Sequence, residues 1–180
     1  MDSAVTLAQV FQHVPPSTGF DVEVKYPSAE ELQEVGVRVV DRGGYVDTIL
    51  AVTMREAKGR KVFFSSFDPD VCWLLAHKQA AFPVLLLTEA GTALCADPRR
   101  NSLRAAVKFA SAHSLAGVVS ECDVAVRSPR VVASALGADL LLFTYGKRNN
   151  DAAAVAVQVA AGVHGVVVDH VAHIAKALAR

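Results

Sequence analysis

Three charged residues alternate with apolar ones in FDVEVKY, Phe20–Tyr26. Side chains two apart on a β-strand share a face. Asp21, Glu23 and Lys25 therefore stand on one side, with Phe20, Val22, Val24 and Tyr26 on the other. In a buried parallel sheet such charges cost free energy unless they meet partners, a metal or a substrate. On an exposed edge strand they can be merely solvated. A second group with chemical potential is D-H-x-x-H, formed by Asp169, His170 and His173. Its spacing suits a metal, and equally a polar turn before a helix. Glu121 closes an apolar run and would point the same way as other strand-end groups of a barrel. The hydroxyls of Ser65 and Ser66 can reach a site or cap the next helix, and capping is the expectation.

These residues need a frame, and the chain supplies one. Six runs read as strands: Phe20–Tyr26, Lys61–Ser66, Pro83–Thr88, Gly117–Glu121, Asp139–Tyr145 and Gly165–Asp169. Helical patterns separate them, so the prediction is an α/β fold with a parallel sheet. Ser28 with Glu31 fits a capping box. Val35–Gly44 reads as a break, followed by a helix over Tyr45–Lys58. Asp68-Pro69 and Ser128-Pro129 each place a cap before a first-turn proline. Asn101 is the expected cap of a helix over Ser102–His113, and Asn150 or Asp151 that of the Ala-rich helix. Gly137 and Gly162 fall where a helix C-terminus takes a left-handed residue. His173–Arg180 reads as a last short helix. Trp73 and Phe109 are expected to pack on helix faces. The pattern has no linker, so a single domain over residues 1–180 is expected. Pattern alone leaves open a doubly wound sheet or part of a (β/α)₈ barrel.

Composition narrows the function. The chain is 52% hydrophobic, too apolar for disorder. Lys plus Arg equals Asp plus Glu at 18 each, which gives no basic excess for nucleic acid. No run approaches the roughly 20 apolar residues that span a bilayer. Cys72, Cys95 and Cys122 are far apart and odd in number, as expected of reduced thiols in a cytoplasmic protein. The glycine signatures of nucleotide-binding loops and of the serine-esterase elbow are missing.

Several segments together resemble the glycerophosphodiester phosphodiesterase family, in particular its large eukaryotic members acting on glycerophosphocholine-type substrates. They are GFDVEVKYP at Gly19–Pro27, KVFFSSFDPDVC at Lys61–Cys72, FPVLLLTEAG at Phe82–Gly91, LLLFTYGKRNND at Leu140–Asp151 and GVHGVVVDHV at Gly162–Val171. The resemblance implies a TIM-barrel-like (β/α)₈ fold. It implies hydrolysis of a glycerophosphodiester to glycerol 3-phosphate and an alcohol, helped by a divalent metal, calcium or magnesium. Glu23 matches a metal carboxylate of the E-x-K motif, and Lys25 its lysine, expected beside the phosphate. Phe143 falls where the family often has an aromatic lining the site, there to contact the alcohol or simply to fill the barrel. In the family the HR, E-x-D and HD motifs, with two carboxylates and a histidine pair, lie ahead of the E-x-K strand, and none of them appears in the 22 residues that precede Glu23. The expected fold is thus an incomplete barrel whose six strands correspond to strands three to eight. Little turnover is expected from this chain alone, and its open edges favour self-association. The alternative is a non-catalytic relic or regulatory module that binds phosphate esters.

Overall fold

A computed structural model describes residues 4–28, 31–32 and 40–179. The strands are β1 (Phe20–Glu23), β2 (Val62–Ser66), β3 (Val84–Thr88), β4 (Gly117–Glu121), β5 (Leu141–Tyr145) and β6 (Gly165–Val166). The helices are α1 (Leu7–His13), α2 (Arg42–Glu56), α3 (Pro69–Lys78), α4 (Leu103–Ala112), α5 (Cys122–Arg127), α6 (Pro129–Leu136), α7 (Ala152–Ala160) and α8 (Val171–Leu178). Sheet order follows chain order, β1-β2-β3-β4-β5-β6. A doubly wound sheet reverses its order at a switch point. Unbroken sequential order is that of a barrel, and the fold is TIM-barrel-like with six parallel strands.

Packing divides the chain into two compact units, Met1–Val84 and Leu85–Arg180. In the first, β1 pairs in parallel with β2, Phe20 opposite Val62 and Glu23 opposite Ser65. Phe20 and Val22 pack on a cluster of Phe11, Ala57 and Val62, which leaves Asp21 and Glu23 on the opposite face. Val46, Leu50, Phe64, Val71 and Leu75 are among the other buried residues of this unit. Asp68 caps α3 by accepting from the amides of Asp70 and Val71, as its DP signature predicts. Ser28 and Glu31 make the predicted reciprocal capping bonds, 2.7 and 3.2 Å.

In the second unit β4 pairs with β5 and β5 with β6. Val118, Leu142, Ala106, Ala110, Val132 and Val155 are buried among the strands and helices. Each fully buried Val or Leu contributes about 1.5–3 kcal/mol before the entropy cost. A buried polar network ties the C-terminal strand in. Asn149 Nδ2 donates to Thr144 O at 3.0 Å and Val167 O at 3.1 Å. Gln158 Nε2 donates to Asn149 Oδ1 at 2.8 Å, and Thr144 Oγ1 to Gln158 Oε1 at 2.6 Å.

Some expectations are corrected. The β1 ladder stops at Glu23 and that of β6 at Val166, both short of the expected Tyr26 and Asp169. Pro27 cannot donate to a ladder, and single contacts carry both strands a little further: Val24 N donates to Ser65 O and Val167 N to Thr144 O. Of the expected break at Val35–Gly44, residues 35–39 lie outside the described residues. From Arg42 the chain is already helical, because Asp41 accepts from Gly44 N at 3.0 Å. Gly137 is right-handed at φ −66°, and Asp139 takes the left-handed position at φ +57°. Gly162 is left-handed as expected, at φ +92°. Ser102, not Asn101, caps α4; Asn101 instead pairs with the Cys95 backbone through both amide atoms at 2.8 Å. The last helix starts at Val171, ahead of His173. Trp73 is 42% exposed and stacks on His77 rather than packing inward.

Candidate active site

Barrel folds present their chemistry at the C-terminal ends of the strands. At the end of β1 the Lys25 ammonium pairs with Glu23 Oε1. The lysine side chain is 77% exposed and the glutamate 35%, so this pair is solvated and adds little stability. Asp21 lies on the same face and accepts from Ser65 Oγ at 2.7 Å. Burial pushes its carboxyl up, the Ser65 bond opposes that, and the nearby Glu23 charge adds to it. Ser65 therefore reaches toward the charged face, contrary to the capping expected of it. Ser66 does the local work: its Oγ donates to Val24 O at 2.6 Å and accepts from Asp68 N at 3.1 Å.

Glu23 and Asp21 are oxygen donors only, and their mutual repulsion would be relieved by a cation. That donor set fits a hard divalent ion such as calcium or magnesium. It supplies a part of the six or more oxygens such an ion takes.

The second unit carries its polar groups in one layer. Glu121 is opposite Tyr145 across β4 and β5. Thr88 pairs with Ser120, which puts Glu89 at the next position on the neighbouring strand. Arg100 forms an ion pair with Glu89 through Nη2, with a second contact from Nε at 3.3 Å. Glu121 Oε2 accepts from Asp123 N at 2.7 Å, and Oε1 lies 3.4 Å from Cys122 Sγ. Arg127 and Arg148 approach Asp123 at 2.7 and 3.4 Å. Burial, then the Glu121 charge, pushes the Cys122 thiol up to about 11. Burial and the charges of Glu89 and Glu121 push the Tyr145 phenol up as well.

Glu121, Cys122 and Asp123 are the one trio of potential metal ligands among the described residues, with atoms within 4.8 Å of one another. A protonated thiol and a carboxylate already paired with two arginines make it a poor match for a hard cation. Asp169, His170 and His173 form no such group. Asp169 accepts from Asn150 Nδ2 at 2.9 Å, and His170 precedes α8, so the D-H-x-x-H run is a turn and helix start. Phe143 is half-buried and opposite Gly165, where a Cβ would lie 3.1 Å from its ring. None of Cys72, Cys95 and Cys122 is in a disulfide. No described helix is long and apolar enough to cross a membrane.

The sequence reading missed Tyr145, Glu89 and Arg100. The alternation Leu141, Phe143, Tyr145 along β5 was a usable signal, since it places Tyr145 at the strand end on the Phe143 face.

Comparison with known proteins converges. The family model for the glycerophosphoryl diester phosphodiesterase family matches residues 1–173. A glycerophosphocholine phosphodiesterase of Eremothecium gossypii is 42% identical over 99% of this chain and 14% of its own length. One from Schizosaccharomyces pombe is 45% identical over 96% of the chain and 15% of its own length. A glycerophosphodiester phosphodiesterase of Arabidopsis thaliana is 36% identical over 99% of the chain and 46% of its own length. The chain thus spans less than half the length of these curated relatives. Among solved structures, a glycerophosphodiester phosphodiesterase from Thermotoga maritima superposes with TM-score 0.63 at 20% identity, covering 98% of this chain and 64% of that one. A phosphodiesterase from Oleispira antarctica, solved with its product sn-glycerol-3-phosphate, gives 0.65 at 14% identity, over 90% and 56%. The fold class is therefore the one these barrel phosphodiesterases share. Within it, the chain belongs to the glycerophosphoryl diester phosphodiesterase family.

Proposed function

We propose that this chain is part of an enzyme that hydrolyses glycerophosphocholine-like diesters to glycerol 3-phosphate and the free alcohol. The observation that carries the reading is 42–45% identity with fungal glycerophosphocholine phosphodiesterases over nearly the whole chain. Glu23 is one metal carboxylate, with Asp21 beside it. Lys25 leaves its pairing with Glu23 to meet a phosphoryl oxygen. Phe143 presents a ring to the alcohol.

The chemistry of these residues is electrostatic. A divalent ion, when bound, neutralises charge on the phosphoryl oxygens. The Lys25 ammonium adds positive charge toward the same oxygens, and its exposure leaves it mobile enough to follow the substrate. Ser65 holds Asp21 in place, so that carboxylate needs little reordering when a cation arrives. The family's histidine acid–base pair has no counterpart assigned here. Three cysteines outside any disulfide fit a cytoplasmic setting.

Calcium and magnesium titrations by calorimetry test the metal assignment directly on this chain. Glu23→Gln is expected to weaken binding at least about tenfold, the loss of one charged ligand. In an active full-length protein the same change should lower kcat/KM for glycerophosphocholine by about a hundredfold or more. Unchanged metal affinity together with unchanged turnover would remove Glu23 from the site. Little turnover is expected from the 180-residue chain by itself.

A further inference from the structure

We propose that Glu121 and Tyr145 form the receptor for the quaternary ammonium end of a choline-type diester. The inference rests on the hydrolase reading above and assigns the headgroup to particular residues.

The first support is charge. Three acidic side chains lie close together at the ends of β3 and β4 and the start of α5: Glu89, Glu121 and Asp123. Arg100 pairs with Glu89, and Arg127 and Arg148 with Asp123. Glu121 has no cationic partner among the described residues. Its contacts are the Asp123 amide and the Cys122 thiol, both neutral donors. The carboxylate is oriented by these two bonds, with no cationic side chain set against it among the described residues.

The second support is shape. Tyr145 stands opposite Glu121 in the parallel register, close enough for the Glu121 charge to act on its phenol. Gly146 follows at φ +123°, and a Cβ there would lie 2.6 Å from Glu121 Oε1 and 2.9 Å from Cys122 Sγ. The Glu121 carboxylate and the Cys122 thiol thus pack directly against the Gly146 backbone, which fixes the carboxylate's position. Burial and the neighbouring carboxylates keep the phenol protonated, so the ring brings no charge of its own.

The third support is hydrogen-bond chemistry. A primary ammonium carries three N–H donors and seeks several acceptors. A trimethylammonium has none and is held by a diffuse negative field and an aromatic face. Glu121 has already committed an oxygen to Asp123 N, and its partner is a ring. That combination favours the quaternary cation over the primary one.

The probes are choline and its neutral carbon isostere, in which a tert-butyl group replaces trimethylammonium. Binding to this chain is read by ligand-observed NMR or calorimetry. Choline should bind about tenfold more tightly than the isostere. Glu121→Gln keeps an acceptor for Asp123 N and should erase that tenfold preference while isostere affinity stays put. Tyr145→Leu should shrink it, and Tyr145→Phe, which keeps the ring, should preserve it within about twofold. Equal binding of both probes to the unmodified chain overturns the proposal. So does an equal loss of both probes in the variants, which marks a structural role. In the full-length protein, Glu121→Gln should raise KM for glycerophosphocholine about tenfold and leave glycerophosphoglycerol unaffected. If the unmodified protein cleaves neither diester with calcium or magnesium, the hydrolase reading fails, and the choline–isostere comparison still decides the headgroup assignment.

Discussion

Replacing Arg60 by methionine should destabilise the chain more than any surface change, although it touches no proposed substrate contact. Arg60 is 9% exposed and has no carboxylate partner among the described residues. Its guanidinium instead serves four carbonyls. Nη1 donates to Pro15 O at 2.7 Å and Thr18 O at 2.6 Å. Nη2 donates to Val14 O at 2.8 Å and Phe11 O at 3.1 Å. The reason lies in the sequence of α1. Phe11 O would accept from the amide four residues on, but that residue is Pro15 and has no N–H. The carbonyls at the helix end need a donor from elsewhere, and a cation there also suits the helix dipole. The guanidinium further lies 4.4 Å from the Phe20 ring centroid. Charged hydrogen bonds contribute about 1.5–3 kcal/mol each, which caps the gross total near 12 kcal/mol. Desolvation of an unpaired charge cancels several of these, and solvent can reach the loop carbonyls once the arginine is gone. The net loss for Arg60→Met comes to about 3–5 kcal/mol. Arg60→Lys keeps the charge but not the four-way fork, and should lose about 2 kcal/mol. Urea unfolding followed by circular dichroism gives both numbers. A loss under about 1 kcal/mol for the methionine variant would refute the reasoning, since it would mean the carbonyls are satisfied without the fork.

Asn149→Ala removes the bonds to Thr144 O and Val167 O and one acceptor of Gln158 Nε2, while Thr144 O keeps Val167 N and Gln158 Nε2 keeps Ala154 O; a loss of about 1–3 kcal/mol is expected in the same urea assay, with early amide exchange in β6. Asp97 is held below the usual carboxylate range, chiefly by its bond from Arg99. Its stabilising contribution should be complete above the unfolded carboxyl value of about 3.9 and fade as pH falls through the lower native one. The stability gap between the unmodified chain and Asp97→Asn should therefore be open at neutral pH and close as the pH falls through the lowered native value. A gap that stays constant across the titration would exclude the ion pair as its source.

The backbone plan was legible because β-period apolar runs, proline-marked caps and regular spacing each point the same way. Asp68-Pro69 specified both the start of α3 and its cap. The charged face of β1 was equally readable, since period-two alternation decides it without knowledge of any neighbour. Side-chain partners were less accessible. Ser65 and Ser66 look alike in sequence, yet one points to Asp21 and the other folds back on Val24. Their opposite faces follow from strand parity, but which face held the carboxylate depended on the pairing of β2 with β1. Arg60 was invisible because its partners are backbone carbonyls far away along the chain, and backbone atoms leave no compositional trace. The helix at Cys122–Arg127 was missed because Glu121 ends a strand and caps a helix at once, leaving no loop to mark the junction.

The close approach of β4 to β5 has a wider consequence. A Cβ at Gly117 would overlap Leu141 O and lie 2.8 Å from Leu141 Cβ, so the two strands touch there backbone to backbone. The same two strands set Glu121 against Tyr145 at their far ends. A lineage drifting toward another alcohol can exchange residue 121 or 145 one at a time. It cannot retune their alignment by sliding the strands, because the tight seam at 117 admits no bulkier tenant.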